Sequence, residues 1–440
     1  MSSVEVGILH SKSGTMALSE APLVEATLMA IAEINQTGGV LGELIEPIIE
    51  DGASDSNRFE LLARKLIQHD QVVTVFGCYT SAARKAVLPV FEQLNAQLWY
   101  PAPYEGLEAS KHIFYTGLCP NQQIDPALSW LLQNQGRRFY LLGSDCVFPR
   151  TVNKIIKAQL KQNGGIVVGE DYIPFGTQEF ADAIAKIRQS RPDVVFNTLQ
   201  GDSNVGFYRQ YQALGLTAAE IPILSVTIAE AELQEIGDAA TGHYACWSYF
   251  HTLNTSTNQK FVRNFQRYYG ANRVTSDPIA TAYTQVYLWK QAVEQAQSFD
   301  VEQVRVAAYG QSFESPSGLV RIEPNHHVER ICRIGWILPT GQFEIIYSSD
   351  RPIKPLPWLG VEQLNSERFI NQRQPSNLHP SNLQPITPEI LQPYNWNVVR
   401  ELLGEVSQGI HQACQLEQKY RELKAAKTQL QNEITKRQRV

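Results

Sequence analysis

Residues 72–94 read Val72-Val73-Thr74-Val75-Phe76-Gly77-Cys78-Tyr79-Thr80-Ser81-Ala82-Ala83-Arg84-Lys85-Ala86-Val87-Leu88-Pro89-Val90-Phe91-Glu92-Gln93-Leu94. The first five form a short apolar run, as expected of a strand buried on both faces. Ala83, Val87, Val90 and Leu94 then recur at helical spacing. Between strand and helix, Thr80 and Ser81 offer hydroxyls that can cap the helix. Strand, tight turn and capped helix make the βα unit of a parallel sheet, and such sheets bind ligands beyond the carboxyl ends of their strands.

The same alternation extends both ways. Candidate strands lie at 4–9, 45–50, 139–142, 194–197 and 221–225, with helical patterns such as Val24, Leu28, Ile31 and Phe59, Leu62, Leu66 between them. One run covers about 1–118 and a second opens near 121. Helical stretches at 261–269, 278–296 and 301–308 follow, then strand-like pieces at 319–322, 331–337 and 343–346. The expected fold class is α/β: two doubly wound parallel-sheet lobes, with a chain that returns to complete both. The expected division is 1–120 with 251–330 for the first lobe, and 121–250 with 331–362 for the second.

Beyond 362 the composition changes. Prolines at 375, 380, 385, 388 and 393 break any long helix, so 363–395 reads as an extended linker. Over 396–440, Leu402, Leu416, Leu423 and Leu430 fit heptad d positions, and Val406, Ala413, Tyr420 and Ile434 fit a positions. A coiled coil, and with it a homodimer, is preferred to a lone amphipathic helix.

Composition narrows the function. The chain has 440 residues, 43% hydrophobic and 19% charged, an ordinary globular balance. A net charge of −6 argues against a general nucleic-acid binder, which needs a basic face. No apolar stretch reaches the ~18 residues of a membrane span. Met1-Ser2-Ser3 runs straight into the first candidate strand without the pattern of a secretory signal, and the six cysteines form no CxxC pair. These cues give the expectation of a cytoplasmic protein, with the periplasm as the alternative if a leader has been removed.

The strand ends hold the candidate site. After 72–76 come Tyr79, Thr80 and Ser81. After the next strand come Tyr100-Pro101-Ala102-Pro103-Tyr104, a rigid aromatic wall. After 139–142 come Gly143-Ser144-Asp145-Cys146-Val147-Phe148, and after 221–225 comes Thr227. P-loop, GxGxxG, HExxH and GxSxG motifs are missing, so neither catalytic residues nor a metal or cofactor is expected. His326-His327 is read as a solvated turn rather than a metal pair, and Cys146 as a small buried cysteine rather than a nucleophile.

The segment 77–87 resembles the amide- and urea-binding members of the type I periplasmic-binding-protein family. So do Tyr100-Pro101-Ala102-Pro103-Tyr104-Glu105-Gly106, Gly143-Ser144-Asp145 with Phe148-Pro149-Arg150, and Asn197-Thr198 with Gly201-Asp202-Ser203-Asn204. Gly7-Ile8-Leu9-His10-Ser11 with Ser13-Gly14-Thr15 looks like the urea-binding branch. The resemblance spans about 4–360. It implies two lobes joined by three crossing segments that close on a small neutral amide, urea or amino-acid-like ligand, without enzymatic activity. It places ligand contacts at Ser81, Tyr100, Pro101, Ala102, Pro103 and the second-lobe turn, with Tyr79 and Tyr104 lining the pocket. Cys146 stands where relatives carry a hydrogen-bonding tyrosine, which enlarges the pocket, while Phe148 keeps an apolar wall. The tail resembles a bacterial signalling helix. The leading expectation is therefore a ligand sensor that signals through the coiled coil to a kinase or other output domain. The alternative is the receptor of an ABC transporter for urea, amides or amino acids.

Overall fold

The computed structural model describes residues 2–359. The linker expected at 363–395 and the helix expected at 396–440, with the dimer and output domain tied to it, lie outside the described residues.

The first half of the chain runs β1 (Ser3–His10), α1 (Ala17–Gln36), β2 (Leu44–Asp51), α2 (Ser56–Arg64), β3 (Val75–Gly77), α3 (Ser81–Gln93), β4 (Leu98–Tyr100) and β5 (Ile113–Tyr115). These strands form a sheet of order β2-β1-β3-β4-β5, parallel throughout. The chain then crosses to α4 (Pro120–Asn134), β6 (Arg138–Ser144), α5 (Val147–Gln162), β7 (Ile166–Ile173), α6 (Ala181–Ser190), β8 (Val194–Thr198), α7 (Ser203–Ala213), β9 (Ile223–Ser225), α8 (Glu230–Ile236) and β10 (Tyr244–Trp247). It returns through α9 (Ser256–Tyr269), α10 (Asp277–Ala296), α11 (Val301–Ala308) and the hairpin β11 (Ser312–Ser315) with β12 (Gly318–Arg321). Finally β13 (Arg333–Ile337) and β14 (Phe343–Ser348) join the second sheet, whose order is β14-β13-β10-β9-β8-β6-β7.

Both sheets are covered on both faces. In β6, Phe139 and Leu141 enter one core while Tyr140 and Leu142 enter the other. That is why the strands read as continuous apolar runs rather than alternating ones. The returning α10 packs on α1 and β3 of the first sheet, whereas β13 pairs antiparallel with β10 of the second. The chain thus passes between the lobes three times.

The crossings are tied to one another by buried polar groups. Arg330 donates to both Asp277 carboxylate oxygens, at 3.1 and 3.0 Å, and to Thr281 at 2.7 Å. Asp277 also accepts from the Ser248 amide at 3.0 Å. Gln122 donates to the carbonyls of Val328 and Ile353. Each bond joins segments distant in sequence, so the hinge is set by pairs that must all be satisfied together.

The lobes also touch across the cleft. The Thr15 hydroxyl bonds Asp202, and Ser19 donates to Glu232 at 2.6 Å. Helix α3 of the first lobe also lies against α5 of the second. The conformation is a closed one.

Candidate functional site

The site begins at the turn after β3. Gly77 lies so close to β1 that an added Cβ would sit 2.2 Å from the Leu9 carbonyl oxygen. Only glycine fits there, and the chain must then turn sharply. It does so through two non-glycine residues in the left-handed region, Cys78 at φ 64° and Thr80 at φ 72°. Each such residue costs about 1–3 kcal/mol and persists only where its surroundings enforce it. The Thr80 hydroxyl accepts from the Ala83 amide at 3.1 Å, capping α3 as its sequence suggests.

Ser81, 2% exposed, is already engaged. Its hydroxyl donates to Glu105 and accepts from Arg84 at 3.1 Å. Arg84 is fully buried and holds Glu105 at 2.9 Å and Glu108 at 2.7 Å. Its guanidinium lies over the rings of Tyr100 and Tyr104, 5.1 and 4.8 Å from their centroids. Lys85 adds a second cation on Glu108 at 2.8 Å. Burial alone would raise the Glu108 pKa, but the Arg84 and Lys85 charges bring it to about 2.

Tyr79 and Tyr100 are buried beside this network. Burial raises the Tyr79 pKa well above normal, and the Glu232 and Glu20 charges raise it further. The Tyr100 hydroxyl has no hydrogen-bond partner of good geometry. Pro101, Ala102 and Pro103 follow it, all buried. Tyr104 turns elsewhere: its hydroxyl meets His327 Nε2 at 2.5 Å and the Glu108 carbonyl at 3.1 Å, and its ring stacks on Tyr115.

In the second lobe, Cys146 is half-buried at the start of α5 and its thiol donates to Gln200 Oε1 at 3.1 Å. Burial pushes that thiol up to about 12, with help from the nearby Glu105 and Asp145 charges. A thiol so held is no nucleophile at neutral pH. Phe148 packs into the second-lobe core with Ile124, Val152 and Ile156. Thr227 is half-buried, and its hydroxyl lies 3.1 Å from that of Ser225.

Sequence reasoning missed part of this cluster. Glu20 is fully buried at the start of α1; one oxygen accepts from the Ser11 amide at 2.7 Å and the other has no partner. Arg84, Glu105 and Gln200 were not singled out either. The reading of His326-His327 as a solvated turn is corrected: both are buried, stacked on Phe114 and Tyr115, because the return segment runs beside β5. They hold no metal cluster among the described residues.

The periplasmic binding protein domain matches residues 4–364. The chain belongs to the periplasmic binding protein family. A Leu/Ile/Val-binding protein homolog of Brucella suis is 24% identical over 328 residues, covering 73% of this chain and 84% of that protein. A limonene hydroxylase of Geobacillus stearothermophilus is 38% identical over 133 residues, 30% of this chain, and the chain spans only 24% of that protein. Among solved structures, a Rhodopseudomonas palustris solute-binding protein in complex with 4-hydroxybenzoate has a TM-score of 0.73 at 23% identity, covering 79% of this chain and 97% of that one. A Thermotoga maritima leucine binding protein has a TM-score of 0.71 at 19% identity, covering 78% and 98%. These likenesses support the two-lobed α/β fold.

The family corrects the expectation of a cytoplasmic location, since it is a periplasmic one. Free cysteines do not support the cytoplasm: Cys78, Cys119, Cys246 and Cys332 are buried, and burial in a formed core shields a thiol from oxidants in any compartment.

Proposed function

We propose that the chain is the solute receptor of an ABC-type transporter and closes its lobes on a small, uncharged, N–H-rich ligand such as a short-chain amide or urea. In this reading 1–120 with 251–330 moves as one lobe, and 121–250 with 331–362 as the other. Tyr79, Ser81, Tyr100 and the backbone of Pro101, Ala102 and Pro103 meet the ligand from the first lobe. Cys146 and Thr227 meet it from the second. Thr80 shapes the turn, and Tyr104 and Phe148 support the walls from behind.

The observation that carries this reading is the state of the charges. Arg84 is consumed by Glu105 and Glu108, while Glu20 keeps a buried oxygen without a donor. A carboxylate ligand such as a benzoate would add an anion beside buried carboxylates, with both neighbouring cations already paired. A neutral ligand that donates N–H groups and accepts from Tyr100 meets no such cost. Closure follows because contacts to both lobes exist only in the closed state.

Titration calorimetry with urea, acetamide, leucine and 4-hydroxybenzoate tests the proposal. Heat with urea or acetamide and none with benzoate is the expected outcome. Tight benzoate binding with no amide or urea binding would refute the ligand class.

A further inference from the structure

We propose that Cys246 and Cys332 form a disulfide when the chain folds in an oxidising compartment, by exchange with a disulfide-bearing oxidant. Cys246 lies in β10 opposite Ile334, and Cys332 directly precedes β13. The two are diagonal neighbours across an antiparallel pair, and their sulfurs lie 3.5 Å apart. A disulfide needs about 2.05 Å, so the sulfurs must close by about 1.5 Å. Both side chains are fully buried in the same apolar core, with Trp130, Leu224 and Val226. The other described cysteines have no such neighbour: Cys119 donates to Asn121 and Cys146 to Gln200.

The exchange balances simply. Each thiol loses its proton, one S–S bond forms, and the two electrons reduce the oxidant's disulfide to a dithiol. Cys246 precedes the second crossing between the lobes, and Cys332 ends the third. The bond would enclose residues 247–331, the whole excursion into the first lobe. It joins two strands of one sheet and spans no cleft. It would therefore pin β13 to β10 while leaving the lobes free to open and close. Burial raises the Cys246 pKa well above normal, so little thiolate exists once the core has formed. The bond must form before the core closes.

The test uses the full chain, reduced and unfolded, then refolded with oxidised and reduced glutathione. Alkylation and peptide mapping should find one linked pair containing Cys246 and Cys332, with Cys78, Cys119, Cys146 and Cys414 free. The melting temperature should fall when dithiothreitol is added, and Cys332→Ala should abolish both the link and that fall. Free thiols at all six cysteines, or a link through any other one, would overturn the proposal.

Discussion

Replacing Arg84 with methionine keeps the side chain's apolar bulk and removes its charge. In the native protein Arg84 is fully buried and bonded to Glu105, Glu108 and Ser81. Its loss leaves two carboxylates in the interior with only the half-buried Lys85 nearby. Removing one partner of a buried pair costs about 3–5 kcal/mol. Linkage gives a similar figure. The Glu108 pKa stands at about 2 against an ordinary 4.5, because Arg84 and Lys85 outweigh the effect of burial. That shift is worth on the order of 3 kcal/mol at neutral pH. Its sign is that of a depressed carboxylate: the stabilisation is complete above the unfolded pKa and is lost as pH falls towards the folded one. By pH 3 roughly 1 kcal/mol of it remains. Urea unfolding of native protein and variant at pH 7 and pH 3 measures both effects. Arg84→Met should lose about 3 kcal/mol at pH 7, and the gap should narrow at pH 3. Equal midpoints at pH 7, or a gap that stays constant with pH, would refute the reasoning.

Other substitutions separate ligand contacts from packing. Tyr100→Phe removes a hydroxyl that has no hydrogen-bond partner of good geometry, so it should change the melting temperature little while weakening amide binding about tenfold, about 1.4 kcal/mol, in calorimetry. Cys146→Tyr places a strong hydroxyl donor at the second-lobe turn and fills space; affinity should shift towards urea and the shortest amides, read as a changed ratio of dissociation constants. Glu230 is buried and its pKa is raised to about 8. Its native form therefore loses stability as pH rises from about 4.5 to about 8. Glu230→Gln should escape that loss, and urea midpoints at pH 5 and pH 8 show it.

The fold was legible because strands buried on both faces announce themselves as apolar runs. β1, β3, β6 and β8 fall on such runs, and the pieces after residue 318 fall on β12, β13 and β14. The strands left unread have physical reasons. β7 carries Gly169, Glu170 and Asp171, because it is an edge strand with one side towards solvent. β10 is only four residues long, and its Tyr-Ala-Cys-Trp run has no period to detect. The turns of the candidate site were legible as strand ends: Tyr79 and Ser81 follow β3, Tyr100 ends β4 and Cys146 follows β6. Its electrostatics were not. Arg84 and Glu105 stand 21 residues apart and meet only because β4 lies beside β3. Glu20 reads as an ordinary helix acid until burial is known.

These features bear on why the turn at 77–81 is built at a cost. A turn free of strain would carry glycine or asparagine at both left-handed positions; this one carries Cys78 and Thr80. Thr80 repays part of that strain by capping α3, and the Cys78 amide bonds the Leu9 carbonyl at 2.8 Å. Ser81 is then held by Arg84 and Glu105 before any ligand arrives. Both the turn and the side chains around it are thus fixed in advance, so little ordering cost remains for the first lobe at binding. On the proposed reading, a strained and prefixed turn in one lobe, with the remaining ligand contacts supplied by the other, suits a receptor that must grip a small solute with few atoms to hold.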